Sequence, residues 1–197
     1  MHVNRKEENS ARTRAALEKA ARELFEARGF AAVSAEELVA RAGVTRGALY
    51  HHYDGKEGLF EAIVAGAMKR LNAGVQEAAA KAKDPLSALR LGIERFLELA
   101  AAPRVQRVLF VDAPAVMGWT RWREMDERHG LGLLKQGIAA AIQHKQLREQ
   151  DPSLAAHVLL SALIESAMLI ARSTDKARLR AEAQEMLFRL LEGLGRG

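Results

Sequence analysis

The chain has 197 residues, 49% of them hydrophobic and 28% charged, with a formal net charge of +5; it is long enough for one compact domain or two small units sharing a core. It has no cysteine, which excludes disulfides, thiol catalysis and thiolate metal sites, while the mild positive charge is compatible with an anionic partner without requiring one. The polar N-terminus, MHVNRKEENSARTR, lacks the apolar core of a signal peptide, and no apolar run reaches the ~18 residues of a membrane span, so a cytoplasmic protein without a membrane partner is expected.

Alanine, leucine, glutamate and arginine dominate, and apolar residues recur at helical spacing, so the expected class is all-α. Helix one is expected over 10–28, with Leu17, Ala21, Leu24 and Phe25 as its buried stripe and Gly29 as its C-cap. Ser34 and Glu37 have capping-box spacing and open a second helix over 34–41. Gly43 permits a sharp turn, Thr45 caps a third helix over 45–51, and Leu49 returns to the core. Two short helices joined by a glycine turn form a helix-turn-helix, a geometry that also occurs as a plain αα-corner.

The surface of the third helix points to DNA. Thr45, Arg46, Gly47, Tyr50, His51 and Lys56 all fall outside the Leu49 face, where a helix buried in a core would carry aliphatic residues. Thr45 and Tyr50 offer hydroxyls to phosphate oxygens, and Lys56 stands at the start of the next helix. Arg46 has the length to reach a guanine edge, and Gly47 has no side chain to hold the helix away from the bases. Beside the adjacent His51–His52 pair only Asp54 offers a carboxylate near metal-binding spacing, too few ligands for a site, so no metal and no cofactor are expected.

Residues 11–60 resemble the DNA-binding head of the TetR/AcrR family of bacterial transcriptional regulators. The resemblance rests on Gly29–Phe30, Leu38, AGV (42–44), Thr45, LYHHY (49–53) and KEGLF (56–60). It implies phosphate contacts for Thr45, Tyr50 and Lys56. It implies a place in the major groove for Arg46, Gly47 and His51, and a packing role for His52. Val39 and Tyr53 stand where the family often has alanine and phenylalanine. The implied organisation is a three-helix head, 1–55, and a helical ligand-binding and dimerisation body, 56–197. Gly55 and Gly58 flank the start of the helix joining them and would soften it.

In the body, helices are expected over 56–80, 85–101, 104–112, 115–128, 130–147, 152–172 and 175–193. Pro85, Pro103, Pro114 and Pro152 mark helix starts. Asp84, Asp151 and either Thr174 or Asp175 are the expected N-caps. RVLFV (107–111) is the strongest strand-like run, but without a pairing partner it reads as helix. The stretch 102–134 gathers Phe110, Met117, Trp119, Trp122 and Met125 on short segments broken by proline and glycine. Such residues line a ligand cavity or fill a core, and the resemblance favours the cavity. Asp112 and Glu165 lie in apolar runs, where a carboxylate needs either an internal partner or a ligand; Arg121 and His129 are weaker polar candidates. Leu159, Ala162, Leu163, Ser166 and Ile170 on one helix, with Leu187 and Leu190 on the next, are the expected dimer interface.

The function expected from the resemblance is a dimeric repressor that binds a palindromic double-stranded operator and is released by a small-molecule effector. Two alternatives are a DNA-binding regulator controlled by a protein partner and an all-helical enzyme. No nucleophile–base pair, metal-ligand set or phosphate loop in the sequence supports the enzyme.

Overall fold

A computed structural model describes residues 2–193, with side chains described for 6–128 and 130–193. Among the described residues the chain is helical, with no strand. The elements are α1 (His2–Arg28), α2 (Ala35–Ala42), α3 (Arg46–Tyr53), α4 (Lys56–Ala79), α5 (Pro85–Ala100) and α6 (Pro103–Gln106). A π-helical turn π1 (Arg107–Asp112) leads to α7 (Ala113–Met117) and α8 (Trp119–Asp126). A second, π2 (Glu127–Leu131), leads to α9 (Gly132–Gln143), α10 (Pro152–Arg172) and α11 (Lys176–Gly193).

The local signals act where they stand. Asp84 accepts from the Ser87 amide at 3.0 Å, Asp151 from Ser153 at 2.8 Å and Asp175 from Arg178 at 3.1 Å, so each relieves an orphan amide at a helix start. The α1 helix begins at His2, ahead of the start expected at residue 10. The RVLFV run is helical but π-wound, and the break expected near residue 129 falls instead at Gly118, whose φ is +80°. Across Gly130 the chain stays helical through π2 into α9.

The chain divides into two compact units. The first is Met1–Ala67 together with Arg107–Trp122, and the second is Met68–Gln106 with Arg123–Gly197. A cut at residues 55/56 therefore falls inside the first unit, which also takes in a body segment. Its core is Leu17, Ala21, Phe25, Val33, Leu38, Leu49 and Phe60, all buried. The rings of Phe25 and Phe60 meet edge-on at 5.2 Å, and Phe30 packs 4.9 Å from Phe60, contacts worth ~0.5–1.5 kcal/mol each beyond their buried area.

The second unit packs α5, α9, α10 and α11 on one another. By length and composition alone α10 is apolar enough to cross a membrane, which qualifies the reading that no run reaches a span. Its residues Ala155, Ala156, Leu159, Leu160, Leu163, Ala167 and Ile170 are buried in the unit's own core, as in the central helix of a bundle. That burial corrects the expected dimer face. Leu159, Leu163, Ile170 and Leu187 lie inside the protomer, each no more than 3% exposed, and Ala162 and Ser166 are half-buried. Leu190 alone of that set is on the outer face, beside Leu154, Val158, Leu169 and Met186. The α10 helix is apolar on both sides, so apolar residues alone do not say which side faces inward.

Candidate nucleic-acid interface

The α3 helix has eight residues and one buried anchor, Leu49. Thr45 sets its start: the Oγ1 accepts from the Ala48 amide at 3.2 Å, which leaves the hydroxyl hydrogen free to donate outward. The turn before it closes through Gly43, in the left-handed conformation at φ +66°. Ser34 caps α2 by accepting from the Glu37 amide at 3.1 Å. The capping box is only half formed, because the Glu37 carboxylate pairs with Arg28 instead.

Thr45, Arg46, Gly47, Tyr50 and His51 form one exposed surface, and Lys56 is half-buried beside it. Arg46 pairs with Glu36 at 2.8 Å and lies 5.7 Å from the Tyr50 ring centroid. Its proton is held more tightly than usual by Tyr50 first and Glu36 second. An ion pair this exposed is weak and exchangeable for a phosphate or a base edge. Lys56 is tied more firmly: its Nζ donates to the Val33 carbonyl at 2.7 Å and sits 3.9 Å from the Phe30 ring centroid, leaving two further N–H donors.

The two tyrosines have different work. Tyr53 joins α3 to α1 by donating to Glu18 at 2.7 Å; burial, then that bond, pushes its phenol up to about 12. Tyr50 is 48% exposed. Two glycines, Gly47 within α3 and Gly58 in the first turn of α4, also differ. A Cβ on Gly47 would meet only the Thr45 Oγ1, at 3.8 Å, so nothing inside the protein demands glycine there. A Cβ on Gly58 would fall 1.7 Å from the Tyr53 carbonyl oxygen. Gly58 therefore lets α4 touch the end of α3 and is a packing requirement, where the sequence suggested softness.

The residues expected to line a cavity scatter. Trp122 is buried and donates its indole N–H to the Leu109 carbonyl at 2.8 Å. The Trp119 ring lies 5.0 Å from it, tilted by 41°, and is 65% exposed. Phe110, Met117 and Met125 are half-buried. Asp112 accepts from the Phe30 amide at 2.8 Å, so its carboxylate has an internal partner 82 positions away. Arg121 pairs with Glu61 at 2.8 Å. Glu165 is exposed on the outer side of α10 and needs no buried partner. The side chain of His129 lies outside the described residues. A groove of about 260 Å³ lies elsewhere, lined by Gln150, Asp151, Leu154, Ala155, Val158, Leu159 and Leu190.

Sequence reasoning missed Asp126, a buried acid with Arg123 Nη1 at 3.2 Å. Burial pushes its carboxyl up to about 6, against the opposing pull of Arg123. Arg123 also meets His157 Nδ1 at 2.9 Å. The only sequence signal was an acid three residues after an arginine on a helix that also holds two tryptophans.

Known proteins share this architecture. Residues 17–63 match the family model described as bacterial regulatory proteins, tetR family, and residues 86–194 match a tetracyclin repressor-like C-terminal domain. The transcriptional regulator AcrR of Shigella flexneri is 30% identical, matched over 86% of this chain and 83% of its own length. A crystal structure of a TetR-family transcriptional regulator from Pectobacterium atrosepticum superposes with a TM-score of 0.81 at 33% identity, covering 96% of this chain and 97% of that one. RolR in complex with resorcinol shares the fold at 16% identity, with a TM-score of 0.71 over 96% of this chain and 98% of its own. Head and body are both matched, and the chain belongs to the TetR family of bacterial regulatory proteins: it is a DNA-binding transcriptional regulator and not an enzyme.

Proposed function

We propose that the protein is a cytoplasmic homodimeric repressor that seats α3 in the major groove of each half of a palindromic operator and leaves it when the body binds a small-molecule effector. The observation that carries the DNA contact is the open surface over Gly47. The helix keeps a residue that costs helix stability at a position its own packing does not constrain. Close approach of a partner supplies the missing reason. Thr45, Tyr50 and Lys56 hold phosphates; Arg46 and His51 reach base edges on either side of Gly47.

The dimer face in this reading is the outer side of α10 and α11, where Leu154, Val158, Leu169, Met186 and Leu190 are each between 47% and 64% exposed. Isolated apolar residues on a surface are ordinary, but these five stand on two neighbouring helices, with Ser161 and Glu165 between Val158 and Leu169 on the same exposed side of α10, and a four-helix interface covers such a pair. The groove between Leu154, Val158 and Leu190 lies in that face. Two heads related by a two-fold axis then match a two-fold operator. RolR supports the effector, since a protein of the same fold is solved with an aromatic ligand.

A second reading, control by a protein partner without a small molecule, is favoured by Trp119, which stands on the surface at 65% exposure. Stoichiometry and release separate the two. The complex with an operator duplex is expected to hold two chains per duplex by sedimentation and to dissociate with compounds from a panel of small aromatic acids, phenols and amines. One chain per duplex would overturn the dimer. A complex that resists every compound but yields to cell extract protein would favour the second reading.

A further inference from the structure

We infer that Glu36 is a positioning residue for operator recognition: its carboxylate holds the Arg46 guanidinium over the exposed face of α3 and makes Arg46 a reader of a guanine edge, where a free arginine would anchor to phosphate. This rests on the operator reading above and gives α2 a part in it.

The contact joins two helices of the head. Glu36 stands in the first turn of α2, and Arg46 is the first residue of α3. The Arg46 Nη1 donates to the Glu36 Oε1 at 2.8 Å, and the Tyr50 ring centroid lies 5.7 Å from the guanidinium carbon. The planar fork is thus held by an acid from the neighbouring helix and a ring from its own. An arginine has five N–H donors. Glu36 engages one of them, so a bidentate pair remains for the O6 and N7 of a guanine.

The fold does not need this pair. The corner between α2 and α3 is set by Gly43 at φ +66° and by Leu38 and Leu49, both fully buried. Two other ion pairs of the head, Arg28 with Glu37 and Arg41 with Glu23, tie α2 to α1. Their acids are 35% and 42% exposed, while Glu36 is 66% and Arg46 62% exposed. A pair that open adds little to stability. A helix N-terminus favours an acid, but Glu37 already supplies one in the same turn, and that preference does not account for the bond to Arg46.

Electrostatics supplies the role. Of Thr45, Arg46, Gly47, Tyr50, His51 and Lys56, only Arg46 and Lys56 are positive with histidine neutral. Lys56 is bonded to the Val33 carbonyl, and Glu36 offsets the charge of Arg46. An acid on a surface that meets DNA weakens attraction to every phosphate alike. A guanine edge carries no net charge and is opposed far less. Glu36 thereby lowers affinity for DNA of any sequence, spares the base contact, and widens the ratio between them. It also keeps the fork from swinging to a backbone oxygen.

The test compares the full chain with Glu36→Gln, which keeps the size of the side chain and removes its charge, with Arg46→Ala, and with the double variant. Fluorescence anisotropy across a salt series follows binding to an enriched operator, to operators with each base pair substituted, and to a random-sequence duplex. The position at which Arg46→Ala loses preference marks the base pair that Arg46 reads, and wild type should favour guanine there by about tenfold or more. Glu36→Gln should cut this preference below about threefold and tighten random-sequence binding. It should also steepen the logarithmic salt dependence of that binding by roughly 0.9, the share of one added phosphate contact. Its unfolding midpoint should stay within about 2 °C of wild type. In the Arg46→Ala background the same change should leave base preference and salt slope as they were. Tighter binding to all duplexes in both backgrounds, with base preference intact, would make Glu36 a solvated acid that only repels DNA and would overturn the inference. An unchanged preference in Glu36→Gln would overturn it too, as would an Arg46→Ala variant that keeps its preference at every position, and the operator reading survives each of these results. A chain that enriches no duplex overturns the operator reading and this inference with it.

Discussion

Gly47→Ala separates the needs of the fold from those of the interface. The added methyl meets nothing inside the protein closer than the Thr45 Oγ1 at 3.8 Å, an ordinary van der Waals contact, and the position lies within α3. Folding should therefore gain roughly 0.5–1 kcal/mol, the usual difference between glycine and alanine in a helix. At ~2–4 °C per kcal/mol for a chain of this size, the unfolding midpoint should rise by about 1–4 °C. DNA binding should move the other way. A methyl between the helix and the base edges displaces the flanking Arg46 and His51 contacts, a loss of roughly 1–3 kcal/mol, or about 5- to 150-fold in Kd. Circular dichroism during heating gives the first quantity, and fluorescence anisotropy with an operator duplex gives the second. A stabilised variant that binds as tightly as wild type would refute the placement of Gly47 at the bases. A destabilised one would refute the claim that its surroundings are open.

Other substitutions sort the remaining residues by role. Tyr50→Ala should weaken operator binding about tenfold with little change in unfolding, because the ring is half exposed; Lys56→Ala should lower both, since the ammonium also holds the Val33 carbonyl. Val158→Glu should yield monomers by sedimentation while preserving the fold, whereas Leu159→Ala, one residue on but 3% exposed, should cost about 2–5 kcal/mol of stability. Gly58→Ala should unfold or rearrange the head, because its Cβ has no room beside the Tyr53 carbonyl. Asp126 binds its proton more tightly folded, at about 6, than unfolded, at 3.8. The folded chain therefore holds more protons between these values, and stability should fall as pH rises from about 4 to 6.5, by up to ~3 kcal/mol. Urea titrations across that range should show the slope, and Asp126→Asn should flatten it; Asp84, depressed to about 2, acts only in stronger acid and with the opposite sign.

What could be read from sequence was what depends on neighbours in the chain. Asp84, Asp151 and Gly43 punctuate helices because a cap satisfies amides or carbonyls within four residues. The outer surface of α3 was legible because only Leu49 of that helix is a strong core residue. The α10 faces were not, since Val158 and Leu159 are equally apolar and only the packed neighbours distinguish them. Asp112 was seen to need a partner, but the amide of Phe30 lies 82 positions away. The π turns had no local signal, because their extra residue is held by tertiary bonds such as that from Trp122 to Leu109. Glu37 left its capping box half formed for the same kind of reason: Arg28 stands closer to its carboxylate.

The central claim, that the exposed face of α3 reads an operator, is tested most directly by enrichment of bound duplexes from a random DNA pool. The full chain and the Tyr50→Ala, Lys56→Ala double variant are run side by side. The wild-type chain should enrich a two-fold symmetric sequence, and the double variant should lose it while remaining folded. Enrichment by both alike, or by neither at low salt, would contradict the assignment of α3 as the recognition surface.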